Sequence, residues 1–115
     1  MKEGARSGVI SFAEAAARIP ESDGARNTLV IHRGTLDIRL SIPLPPNRQT
    51  PHAQDEIYVV VRGNGVLFHA GERTPFNAGD ILFVAAGVEH HYEDFSTDLA
   101  LWRIFYGVDG GEIPL

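Results

Sequence analysis

The sequence predicts an all-β fold, an antiparallel sandwich or barrel preceded by one short helix. Short runs of β-branched and aromatic residues recur along the chain, from "TLVIH" to "LALWRIFY". Turn residues, above all glycine, fall between them at regular intervals. Only "FAEAAAR", near the start, has the composition of a helix. Short strands spaced evenly by turns are the mark of a sandwich or barrel.

The elements follow in order. Ser11 and Glu14 have capping-box spacing ahead of "FAEAAAR", and Pro20 ends that helix. "PESDGARN" reads as loop. After "TLVIH" and Arg33-Gly34, "TLDIRLSIP" alternates. Leu36, Ile38, Leu40 and Ile42 share one face, and Arg39 lies on the other with Asp37 and Ser41. "PLPPN" cannot be an interior strand, because proline removes ladder donors. "EIYVVVR" and "VLFHA" flank Gly63-Asn64-Gly65, which predicts a tight hairpin between them. "AGERTPFNAGD" reads as turns, "ILFVA" and "HHYEDF" as strands, and "LALWRIFYG" closes the β region.

The 115 residues suit one domain, in which residues 1–27 form a helix and loop packing on a barrel over residues 28–115. With 43% hydrophobic and 22% charged residues, the balance is that of a globular chain rather than a disordered one. Cysteine is absent, which excludes disulfides, thiolate metal sites and cysteine nucleophiles. Any metal must be held by nitrogen and oxygen. A net charge of −5 without a cluster of Lys and Arg argues against a nucleic-acid partner. No apolar run is long enough for a bilayer and the start lacks a signal-peptide core, so no membrane partner and a cytoplasmic location are expected. "IYVVV", "ILFVA" and "ALWRIFY" are apolar on both faces. One face belongs inside the barrel, and the N-terminal segment or a second subunit covers part of the other, so a homodimer is expected.

The polar stretch "RQTPHAQDE" ahead of "IYVVV" poses the functional question. On a straight strand His52 and Glu56 would share a face but lie about 13 Å apart. That is too far to meet at one ion whose ligand atoms sit about 2.1 Å from it. Convergence requires "AQD" to bend, which small Ala53 and turn-tolerant Asp55 permit. His90 arrives just after the turn "AAGVE", where another loop enters a strand. Two imidazoles and one carboxylate suit iron, manganese, nickel, cobalt or zinc.

These segments resemble the two motifs of the cupin superfamily. In the first, His52 falls on the second histidine, three residues precede Glu56 and six more precede Gly63. In the second, Gly79, "DILFV", Ala85-Ala86-Gly87, "VE", His90 and Asp94 follow in register. The similarity spans roughly residues 28 to 107. It implies a small jelly-roll β-barrel with His52, Glu56 and His90 as metal ligands. Three departures stand out: Thr50 in place of the first histidine, Ala85 in place of a proline, and Asp94 in place of an asparagine. Thr50 leaves three readings: an open site, a shifted fourth ligand such as Gln49 or Gln54, or a member that has lost its metal.

Other side chains are secondary candidates. Tyr58 shares parity with Glu56, and Tyr92 with His90, so both are expected to line the cavity. His91 has the opposite parity and faces away. Arg39 could anchor a substrate carboxylate, and Trp102 is a further pocket candidate whose inward face, like that of Arg103, parity alone does not assign. The expected function is a metal-binding cupin acting on a small polar molecule, with dioxygenases, isomerases, epimerases and decarboxylases among similar proteins. The alternative is a non-catalytic module that binds a small ligand, with or without metal.

Overall fold

The computed structural model describes residues 7–113 and contains one helix and eight strands. Helix α1 (Phe12–Ala16) begins at Ser11, whose Oγ accepts from the Glu14 N–H at 3.3 Å. The strands are β1 (Asn27–Arg33), β2 (Leu36–Ser41), β3 (Asp55–Arg62), β4 (Asn64–His69), β5 (Glu72–Asn77), β6 (Ile81–Val84), β7 (His90–Glu93) and β8 (Ala100–Tyr106). They form two antiparallel sheets, ordered β1-β2-β8-β3-β6 and β5-β4-β7. After β3 the chain weaves between the sheets, which gives the jelly-roll. Among the described residues no strand pairing joins the sheets, so the barrel is open along its seams.

Alternation divides the large sheet into two faces. Tyr58, Val60, Leu82, Val84 and Leu101 turn inward and meet Leu67, Phe76 and Tyr92 of the small sheet. The other face carries Leu40, Ile38 and Trp102, covered by Phe12, Ala15 and Ala16 of α1. A five-residue helix is too short to persist alone, so this burial holds α1 in place. The apolar face of β2 therefore packs outward under the helix, while Arg39 is on the inward side, opposite Arg103 in the ladder. The two-sided apolar character of β8 has the same origin. Farther along the outer face, Ile57 pairs with Phe83 and Val59 with Ile81, and there Phe83 and Ile81 are exposed.

Two local expectations fail. Gly63-Asn64-Gly65 does not close a hairpin: β3 pairs with β8 and β6, whereas β4 pairs with β5 and β7. Gly63 is instead the corner where the chain leaves one sheet for the other. Its φ of +86° and its approach to Ser96 and Leu99, where a Cβ would lie 2.5 Å from Oγ and 2.8 Å from Cα, require glycine. The tight hairpin lies at Ala70-Gly71, which joins β4 to β5 with positive φ at both residues, as a type I′ turn requires. "ERTPFN", read as turn, is strand β5. Its Pro75 is accommodated because β5 is an edge strand, where a missing donor leaves no ladder bond unmade.

Candidate metal centre and the adjoining cleft

The site forms where two loops are fastened together. Ahead of β3 the chain bends at Ala53 and Gln54, which turns His52 back over Glu56. The turn between β6 and β7 clasps this loop: the Gly87 N–H donates to the His52 carbonyl at 2.7 Å, and the Ala86 N–H donates to Asp55 Oδ1 at 3.0 Å. Asp55 is buried and also accepts from the Glu112 N–H at 2.9 Å, while the Gly110 N–H donates to the Ala53 carbonyl at 2.7 Å. Two distant parts of the chain, the β6–β7 turn and the segment after β8, thus fix the bend.

The result brings one atom from each of His52, Glu56 and His90 within 4.8 Å of the others. Glu56 Oε1 lies 3.5 Å from His52 Nε2 and 3.1 Å from His90 Nε2. Ligand atoms about 2.1 Å from a shared ion stand about 3.0 to 3.4 Å apart at octahedral or tetrahedral angles, so the spacing fits one. His52 Nε2 and Glu56 Oε1 are buried without a hydrogen-bond partner, a costly arrangement unless something coordinates them. His90 Nδ1 lies 2.8 Å from the Val88 carbonyl, which can only accept, so Nδ1 carries a proton. In the neutral ring Nε2 then presents its lone pair to the site, the usual arrangement behind a ligating histidine. The residues fit a divalent metal.

Surrounding charges tune these groups unequally. Burial lowers the His52 pKa, against the pull of Glu56. For His90 burial acts in the same direction, but the nearby Glu56 carboxylate and the hydrogen bond to the Val88 carbonyl prevail and the pKa is raised. Arg103 holds the far oxygen of the carboxylate, Nε to Glu56 Oε2 at 3.4 Å. The Tyr58 hydroxyl lies 3.1 Å from His90 Nε2 and donates to Gln49 Oε1 at 2.9 Å. Burial raises the pKa values of Tyr58 and Tyr92, so both phenols stay protonated. Beside the triad, a cleft of two lobes of about 430 Å³ each meets at Asn27, His52 and Arg103.

A family model described as a cupin domain matches residues 42–102, more than half of the chain. The chain belongs to the cupin family. A relative from Streptomyces coelicolor, the uncharacterized protein SCO3923, is 40% identical over 57 residues, which is 50% of this chain and 54% of that one. The chain thus spans about half the length of the curated relative it matches. Among solved structures, protein NMB1881 from Neisseria meningitidis is similar with a TM-score of 0.67 and 20% identity, over 87% of this chain and all of that one. The Fe(II) form of HppE in complex with substrate is similar with a TM-score of 0.60 and 14% identity, over 74% of this chain and 59% of that one. At these identities the likeness concerns the fold.

As a cupin, the chain carries its departures from the motif in identifiable ways. Thr50 is exposed on the cleft wall. Gln49 beside it reaches the Tyr58 hydroxyl, whereas Gln54 donates to the Thr35 and Gly107 carbonyls and so serves the loop. Asp94 has φ +47°, a conformation that Asn and Asp tolerate better than other side chains, which explains why it can stand in the asparagine slot. Ala85 accepts from the Val88 N–H at 3.2 Å, closing the turn without a proline.

The remaining candidates separate. Tyr58 and Tyr92 both line the interior, their rings 5.3 Å apart edge to face. Arg39 faces the cleft but is paired with Asp37 at 2.9 Å. Trp102 does not line the pocket: it is on the outer face of β8 with its ring 6.3 Å from that of Phe12. The inward residue is Arg103, opposite Tyr58 in the ladder. Its place follows from alternation with Leu101 once that residue is known to be interior. His91 turns away, stacked on Phe68 and 2.8 Å from Glu93.

Proposed function

We propose that this cupin holds a divalent transition metal on His52, Glu56 and His90 and uses it on a small polar molecule bound in the adjoining cleft. The carrying observation is the convergence of three ligand atoms, two of them buried and otherwise unpartnered. The metal would supply Lewis acidity or oxygen activation. Iron, manganese, nickel, cobalt and zinc all accept this donor set, and the Fe(II) form of HppE supports including iron. Metal dependence is also favoured by what surrounds the triad. Tyr58 and Tyr92 are held protonated and Arg103 stays cationic, so none of these three acts as a general base near neutral pH. The protein's own part is to seat the molecule and keep Glu56 aligned through Arg103.

The test is metal content by plasma mass spectrometry on untagged protein, with Glu56→Ala and His90→Ala alongside. Near-stoichiometric metal that drops in both variants is expected. Protein that stays metal-free after reconstitution would overturn the metal reading and leave a shell that binds small molecules unaided.

We propose a homodimer as well. The outward apolar row of Ile57, Phe83, Val59 and Ile81 continues beyond the part covered by α1, and a second copy would offer the same patch in return.

A further inference from the structure

The cleft is basic in a chain that is acidic overall. The net charge is −5, yet Arg26, Arg39, Arg48 and Arg103 line its two lobes, and Asp37 is the one acid among the lining residues described. The arginines are not equally engaged. Arg39 is neutralised by Asp37. Arg26 directs Nε to the neutral Ile42 carbonyl at 3.0 Å and forms no ion pair with another described residue. Arg48 is exposed on the cleft wall and makes no hydrogen bond or ion pair with another described residue. Arg103 lies over the Phe105 ring at 5.3 Å and makes one long hydrogen bond, Nε to Glu56 Oε2 at 3.4 Å, so the terminal nitrogens of its fork have no acceptor among the described residues.

Glu56 itself shows what this arrangement accepts. One carboxylate oxygen is turned to the two histidines and the other to Arg103, so a single carboxyl group bridges the triad and the guanidinium. A second carboxylate can use the free side of the same fork, since a planar guanidinium binds such groups through paired N–H donors. Resting on the small-molecule reading above, we infer that the cleft is a receptor for small dicarboxylates. One carboxylate sits on Arg103 beside the triad and the other reaches the cationic wall formed by Arg48 and Arg26. Asn47 and Gln49 on that wall favour a ligand with polar groups along its length. Arg103 is the anchoring residue, and Arg48 contributes mainly to capture, as an exposed charge at a rim does.

The experiment is a thermal-shift titration at matched ionic strength with succinate, its neutral diamide and inorganic phosphate. Each is added to protein as purified and to protein stripped with a chelator, with metal content measured in parallel. Succinate is expected to raise the melting temperature in both samples, and the diamide to have no effect. Arg103→Gln and Arg48→Gln should each raise the half-saturating succinate concentration, by about tenfold or more for Arg103 and less for Arg48. Arg48 is exposed, so its variant tests the proposal even if Arg103→Gln fails to fold. Equal shifts with the diamide, or with phosphate, would overturn the dicarboxylate assignment. So would succinate binding that needs metal and ignores both substitutions. Succinate binding to a protein that takes up no metal would instead remove the metal reading and leave the anion receptor standing.

Discussion

The Gly87 N–H donates to the carbonyl of His52 at 2.7 Å, so the turn that delivers His90 also holds the loop that carries His52. The two halves of the candidate metal centre are therefore mechanically one. Asp55 strengthens the same clasp by accepting from Ala86 and Glu112.

Asp55→Ala should accordingly damage stability and metal affinity together. The half-buried Ala86 N–H and the exposed Glu112 N–H lose their carboxylate acceptor, at a cost of roughly 1–3 kcal/mol in all. The freed loop lets His52 drift, and loss of such outer support typically lowers metal affinity by about 10–100-fold. Urea unfolding and a competitive metal titration read the two effects. An unfolding loss with unchanged affinity would show that the clasp does not position His52.

Metal uptake should depend on pH through His90. Its pKa is raised above 6.5, and that of His52 is lowered, chiefly by burial, so in the window between them His90 carries the competing proton. Binding there releases one proton, and apparent affinity declines as pH falls through the raised His90 value. Affinity measured from pH 8 down to 6 in non-coordinating buffers checks the sign. A flat profile would refute it.

Gly63→Ala tests the corner between the sheets. The new methyl group meets Ser96 and Leu99 at a backbone angle that L-residues rarely adopt. A loss of about 1–3 kcal/mol is expected in chemical unfolding, with residual metal content per folded molecule unchanged. Asn64→Ala, in contrast, should be nearly silent, because no hairpin depends on that side chain.

Phe83→Glu addresses assembly. Phe83 is 53% exposed and Ile81 69%, side by side on the outer face. Light scattering should give the mass of two chains for the unaltered protein and one for the variant. A single-chain mass for the unaltered protein would rule out the dimer.

What the sequence determined by itself was local or evenly periodic. Alternation in "TLDIRLSIP" placed Arg39 opposite Leu40, and motif spacing singled out His52, Glu56 and His90. Parity put Tyr58 and Tyr92 on the interior and turned His91 away. Three matters waited for the tertiary structure. Asn-Gly carries the same local turn preference whether its flanking strands pair or part, and only the packing of Gly63 against Ser96 and Leu99 decided that they part. Trp102 and Arg103 alternate on a strand that is apolar on both faces, so periodicity could not choose between them until α1 covered one side. The convergence of His52 with Glu56 was permitted by Ala53 and Asp55 but enforced from far along the chain, by Gly87 and Gly110. Side-chain period is a property of the strand alone, whereas which face is inside, and which loops are tied, depends on what the rest of the chain brings against it.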